Sequence, residues 1–172
     1  MKKIFVSLLL IQTIITCSFS QQLNFGNYHT ISTGADGYGR ARIVTVSNGD
    51  PLIVWRKDSS PKMLKATRWS GSGFANSYDI TTAGINPNSW DGPEVAAKAD
   101  TVYVVFTSLA TTQTSIMLIK SFDGGLTFSD TTRASKNDPL HKFRMGNIAI
   151  DKLGNPVVSY MQYLLNWMEP KQ

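Results

Sequence analysis

The sequence predicts an all-β protein assembled from a repeated four-stranded unit. Three observations carry that prediction. Two apolar strands joined by a short polar turn occur three times, in Arg42–Trp55 (RIVTVSNGDPLIVW), Glu94–Phe106 (EVAAKADTVYVVF) and Asn147–Tyr160 (NIAIDKLGNPVVSY). Their starts lie 52 and 53 residues apart, close to the length of one four-stranded blade in propeller-type repeat proteins. Thirteen glycines, seven prolines and many Ser, Thr and Asn residues supply the turns that so many reversals need.

The first residues read as a targeting signal. Lys2 and Lys3 form a charged start, Ile4 to Ile15 is mostly apolar and short for a bilayer, and Ser18 and Ser20 put small residues at the −3 and −1 positions of a cleavage site. Residues 1–20 are therefore expected to be a signal peptide and 21–172 a secreted domain, extracellular or periplasmic, with no membrane span of its own. The alternative is a lipid anchor on Cys17, although Thr16 stands where such a motif usually has Gly, Ala or Ser. Cleavage after Ser20 removes the single cysteine, and with it disulfide and thiol chemistry. It also takes away two of the five net positive charges. The remaining basic residues are spread along the chain, which excludes the clustered footprint of a nucleic-acid binder.

Each repeat has room for its strands in order. The first is expected at 42–47, 51–57, 62–69 and 76–80, the second at 94–98, 101–108, 115–121 and 128–133. The third has two, at 146–151 and 156–163. The hairpin turns fall at Asn48-Gly49-Asp50, Ala99-Asp100 and Leu153-Gly154-Asn155. Trp55, Trp69, Tyr103, Phe106 and Tyr160 sit in strands and are most simply core.

Between the third and fourth strands of the second repeat lies the octet SFDGGLTF, Ser121 to Phe128. Ser121 and Asp123 can accept bonds from nearby amides and fold the turn on themselves. Gly124 and Gly125 allow positive φ, Thr127 adds a hydroxyl, and Phe128 can pack into the sheet. No metal is called for: the octet has one carboxylate, whereas calcium takes six to eight oxygens. A worn copy lies one repeat earlier, with Thr67, Gly71 and Phe74 matching Ser121, Gly125 and Phe128, and Trp69 in place of Asp123.

Ser-x-Asp-Gly-Gly-x-Thr-Phe resembles the Asp box, or BNR repeat, of the sialidase (neuraminidase) superfamily, and the likeness extends over about residues 36–172. The resemblance implies a six-bladed β-propeller, of which this chain holds about two and a half blades, incomplete at the C-terminus. It also implies that Ser121, Asp123, Gly124, Gly125, Thr127 and Phe128 form a structural turn. That turn lies on the side of the propeller away from the family's active site. The opposite side is then expected to carry Arg40, Arg42, Arg56 and Asp58, then Trp90, Asp91 and Glu94, then His141, Lys142 and Arg144 in a link between blades. Arg42-Ile43-Val44 partly matches the family's Arg-Ile-Pro motif, whose arginine grips a substrate carboxylate through a two-pronged fork. Asp58 is the only carboxylate in the loop where the family keeps its acid/base aspartate. Arg42, Arg56, Trp90 and Glu94 are thus candidate sugar ligands and Asp58 a candidate acid/base. Each has a structural alternative: a strand-edge charge with a local partner, a turn residue, or an indole packed between blades.

The resemblance also says what is missing. The family's tyrosine nucleophile, its activating glutamate and two further arginines belong to later blades. Tyr163 and Glu169 sit in no matching motif. The 172 residues are therefore expected to hydrolyse no sialoside and to need no cofactor. The expected function is that of a glycan- or protein-binding module, with glycans or cell-surface proteins as partners, or of the non-catalytic N-terminal part of a longer protein. The alternatives are the N-terminal part of an exo-sialidase or related glycoside hydrolase, and a structural repeat of a surface protein.

Overall fold

The computed structural model describes residues 26–32, 40–57, 59–81, 91–108 and 113–164. The expected signal peptide, Cys17, Asp58 and Trp90 lie outside the described residues. Those residues form three antiparallel sheets of four, four and two strands. The first sheet contains β1 (Arg42–Thr45), β2 (Pro51–Arg56), β3 (Leu64–Arg68) and β4 (Tyr78–Asp79), adjacent in chain order. The second repeats that order with β5 (Glu94–Lys98), β6 (Thr101–Thr107), β7 (Ile116–Ser121) and β8 (Thr132–Arg133). The third is a hairpin of β9 (His141–Ile150) and β10 (Pro156–Leu164). Among the described residues the only helical element is a single 3-10 turn, Ser47–Gly49, and no helix is long and apolar enough to cross a membrane.

Turn chemistry fixes each hairpin. Asn48 and Gly49 both adopt positive φ in the first, and Gly154 does so in the third. The third turn is also tied by Asp151, whose Oδ1 accepts the amides of Leu153 and Asn155 at 2.8 Å each. These bonds hold the Asp151 carboxyl below its ordinary range. The second turn is less well suited to its residues: Ala99 sits at φ 53 with a Cβ that the left-handed region disfavours.

The three sheets stack face to face, and β6 lies between two cores. Val102, Val104 and Phe106 point towards the first sheet, where they join Val46, Leu52, Val54, Leu64 and Ala66. Val105 points the other way, onto Ile116, Phe143 and Ile148. This is the two-residue period of a strand covered on both sides. The paired positions repeat as well: Ile43 faces Ile53, Val95 faces Val104, and Ile148 faces Val158.

Strand extents differ from the sequence reading at two kinds of place. The outer strands β4 and β8 are two residues each, because beyond them the chain bonds through single links such as Ser129 N to Lys120 O at 2.8 Å. By contrast, β9 begins at His141, so His141, Lys142 and Arg144 belong to a strand and not to a link between sheets. Phe143 explains this. It is fully buried in the second core, and Thr114 Oγ1 donates to its carbonyl at 2.8 Å. A bulge then sets Met145 and Gly146 opposite Tyr160 alone, with Met145 at φ 53.

Two stability measurements follow from this packing. Ala99→Gly should raise the unfolding free energy by about 0.5–1 kcal/mol, read as a higher urea midpoint, since relief of the left-handed strain outweighs the added freedom of the unfolded chain. Phe143→Ala should cost about 3–5 kcal/mol through the cavity it leaves.

Candidate functional site

The Ser121–Phe128 turn is a closed bonding system. The buried Ser121 hydroxyl donates to Asp123 Oδ1 at 2.6 Å. It accepts the amides of Gly125 at 2.9 Å and Asp123 at 3.3 Å. Asp123 Oδ1 also accepts the Thr127 amide at 2.9 Å, and Oδ2 the Thr127 hydroxyl at 2.6 Å. Burial by itself would raise the Asp123 carboxyl. The bonds from Ser121, Thr127 and the Leu126 amide outweigh it and bring the pKa down from 3.8 to about 2. Phe128 packs against the core between the first two sheets.

The same turn locks onto the neighbouring sheet. Arg68, at the end of β3, donates to the carbonyl of Asp123 at 3.3 Å and reaches Asp50 Oδ2 at 3.4 Å. The Tyr78 hydroxyl donates to the Gly125 carbonyl. Burial and the charge of Asp123, partly offset by Arg68, push that hydroxyl up to about 12. The glycines are needed for space as well as for φ. A Cβ at Gly125, where φ is +87, would meet the Leu52 methyls at 2.7 and 2.9 Å. At Gly124, where φ is +70, it would meet Asp100 Oδ1 at 2.9 Å. In the worn copy Gly71 keeps φ +92, but the carboxylate bonding is replaced by aromatics. Trp69 and Phe74 pair edge to face with ring centres 5.3 Å apart, and His29 sits 5.3 Å from the indole.

The opposite ends of the sheets carry the charged candidates. Arg42, in β1, grips Glu94, in β5, with two nitrogens, Nε to Oε2 at 2.6 Å and Nη2 to Oε1. Both side chains are partly buried. The bond to Glu94 raises the Arg42 pKa further. Two residues named as separate sugar ligands are therefore each other's partner. One repeat along, the Asp91 side chain is almost fully enclosed; its Oδ1 accepts the Met145 amide at 3.2 Å and its Oδ2 lies 3.1 Å from Arg144 Nε, an ion pair with poor hydrogen-bond alignment. Tyr163 bonds to that arginine, and burial raises its hydroxyl against the lowering pull of Arg144. His141 Nδ1 lies 2.9 Å from Asp138 Oδ2, which, with the Leu140 amide, lowers the Asp138 carboxyl. Arg56 is buried within the first sheet, away from solvent. Asp58 and Trp90 cannot be placed in this arrangement, as they lie outside the described residues.

No group of three or more metal-ligating side chains comes together among the described residues. A hollow of about 440 Å³ runs beside β1 and β5, lined by Ile43, Val44, Thr45 and Ala97. Among the described residues its walls offer methyl groups and the hydroxyl of Thr45. Sequence reasoning named Arg42, Glu94, Asp91 and Arg144 but joined none of them; the repeat spacing was the available signal, since each pair spans one period. Arg68 and Tyr78 carried no such signal.

No family model and no curated protein matches the chain. Among solved structures, a polysaccharide lyase of family PL25, an ulvan lyase, aligns with a TM-score of 0.47 at 16% identity, covering 71% of this chain and 31% of that one. The same enzyme bound to -[GlcA(1-4)Rha3S]- gives the same values. The chain thus spans about a third of the length of the lyase, and at this level the likeness assigns neither family nor activity.

Two measurements test the turn. Gly125→Ala should destabilise by about 2–3 kcal/mol, from overpacking against Leu52 at a strained φ. A smaller Leu52 should make that second cost less than additive. Asp123 has a depressed pKa, so its contribution to stability is complete above pH 4 and disappears as pH falls towards about 2. Acid titrations of the wild type and Asp123→Asn should therefore converge at low pH, with the variant weaker by about 1–2 kcal/mol near neutrality.

Proposed function

We propose that the chain is a secreted, sialidase-like propeller segment whose role is to bind glycan or protein rather than to hydrolyse sialosides. The stacked four-stranded meanders and the self-bonded Ser121–Phe128 turn support the propeller reading. The observation that carries the functional reading is the Arg42–Glu94 pair. The arginine that the Asp-box resemblance would give to a substrate carboxylate already has a carboxylate on its fork. A sugar acid must displace Glu94 to use it, at the cost of leaving a partly buried anion without its partner. What that side of the molecule offers instead is the Arg42–Glu94 pair and Arg144, which rests on the enclosed Asp91 carboxylate, with Tyr163 of β10 alongside. Such a surface suits neutral hydroxyls and amides, which can share bonds with a pair without breaking it.

The test combines turnover and stability. The purified chain should release no fluorescent aglycone from a sialoside. Arg42→Ala should lower unfolding stability by about 1 kcal/mol, because the loss falls on an ion pair joining two sheets. Sialoside turnover abolished by Arg42→Ala without loss of stability would defeat this reading and make Arg42 a substrate ligand.

A further inference from the structure

The link between β8 and β9, residues 134–140, is anchored near both ends by bonds that do not titrate. At its start the Ser135 amide donates to the Ile116 carbonyl at 3.2 Å, and the Ser135 hydroxyl accepts the Ile116 amide at 3.2 Å. Just beyond its end the Phe143 amide donates to the Thr114 carbonyl at 3.2 Å, and the Thr114 hydroxyl donates to the Phe143 carbonyl at 2.8 Å. Between these anchors the fastening is ionic. His141 Nδ1 is enclosed and lies 2.9 Å from Asp138 Oδ2, with poor hydrogen-bond alignment. Asp138 Oδ1 accepts the Leu140 amide at 3.0 Å. The side-chain amide of Gln113, in the loop between β6 and β7, donates to the main-chain carbonyl of Asp138 and, at 3.3 Å, to that of His141. The ion pair thus sets the shape of the turn that Gln113 holds.

The pair depends on a proton. Histidine is the side chain whose charge ordinarily changes between pH 5 and 8. Asp138 stays ionised through that range, because His141 and the Leu140 amide hold its carboxyl below the usual value. With His141 charged, opposite charges meet at a contact shielded from water. With His141 neutral, its enclosed nitrogen faces a misaligned carboxylate oxygen and the attraction is lost. Among the described residues, the charged groups on its side are Asp138 and Lys136 of the link. Lys142 and Arg144 point to the opposite face of β9 by strand alternation. Gln113 and Thr114 from the second sheet, and Leu164 opposite it on β10, carry no charge. We propose that the link is a proton-operated clasp, closed on Gln113 when His141 is charged and loosened when His141 is neutral, while the anchors at Ser135 and Phe143 stay in place. Closure is complete in mild acid and is lost as pH rises through the histidine range.

The experiment is amide hydrogen exchange of the full chain by NMR in mild acid and in mild base, at about pH 5.5 and about pH 8. Each rate is divided by that of an unstructured peptide at the same pH. Protection of the Leu140 amide should fall about threefold between the two, the size expected of a partly exposed ion pair. Protection of the Phe143 amide should not change. His141→Gln should remove the pH dependence at Leu140. Asp138→Asn should remove it too, since it keeps an oxygen for the Leu140 amide but no charge. The chain has two histidines, and the other, His29, packs on Trp69 in the first sheet, so His141→Gln separates their effects. A wild-type Leu140 amide equally protected at both pH values overturns the proposal, whatever the variants do. So does a fall that survives His141→Gln. A fall shared equally by Phe143 also overturns it, because the whole hairpin would then be opening and not the clasp.

Discussion

The fold depends on β6 being dry on both sides. A strand with Val102, Val104 and Phe106 on one face and Val105 on the other is covered only if one sheet lies in front of it and another behind. Each sheet is therefore stacked on the next at a spacing set by side-chain length, and the chain must advance one full meander between equivalent contacts. That requirement fixes where everything else falls. Residues that touch across the first interface lie about one repeat apart: Arg42 with Glu94, Arg68 with the Asp123 carbonyl, Tyr78 with the Gly125 carbonyl. Across the second they do so again, as Tyr103 reaches the Gly154 carbonyl and Lys98 the Lys152 carbonyl.

Polar groups at the sheet ends are consequently organised by stacking before they are organised by any ligand. At one end, turns dock by hydrogen bonds to main-chain carbonyls, and Gly124 and Gly125 bring the backbone close enough for Arg68 and Leu52 to reach it. At the other end, oppositely charged side chains bridge from one sheet to the next. A charged residue in such a place serves the assembly first. Its chemistry towards a ligand is whatever the ion pair leaves available.

How much of this was legible in the sequence depends on the reach of each interaction. The Ser121–Thr127 bonding was readable because every partner lies within four residues, so the pattern Ser-x-Asp-x-x-x-Thr encodes it locally. The hairpin turns were readable for the same reason. The close approach of Leu52 to Gly125 was not, because it joins residues far apart through the stacking of two sheets; the glycine could be explained by φ alone. The start of β9 was obscured by composition. His141, Lys142 and Arg144 read as a polar link, and the one contrary signal was Phe143, an aromatic flanked by charges in strict alternation. The Arg42–Glu94 pair was hidden in a different way. Both residues were assigned to the same side of the molecule as ligands, and their equivalence in the repeat was the clue that they face each other.

The Ser121–Phe128 turn also bears on how this protein ages. Asp–Gly sequences are prone to a slow backbone rearrangement, in which the glycine amide nitrogen attacks the aspartate side-chain carbonyl and closes a five-membered imide. At Asp123–Gly124 that nitrogen is engaged, its hydrogen donated to the Asp100 carbonyl at 2.9 Å. Both carboxylate oxygens are held in place by Ser121 and Thr127. The low pKa keeps the group ionised and so a poor electrophile. The bonds that shape the turn thereby protect its covalent integrity, and a chain that unfolds loses that protection at this dipeptide.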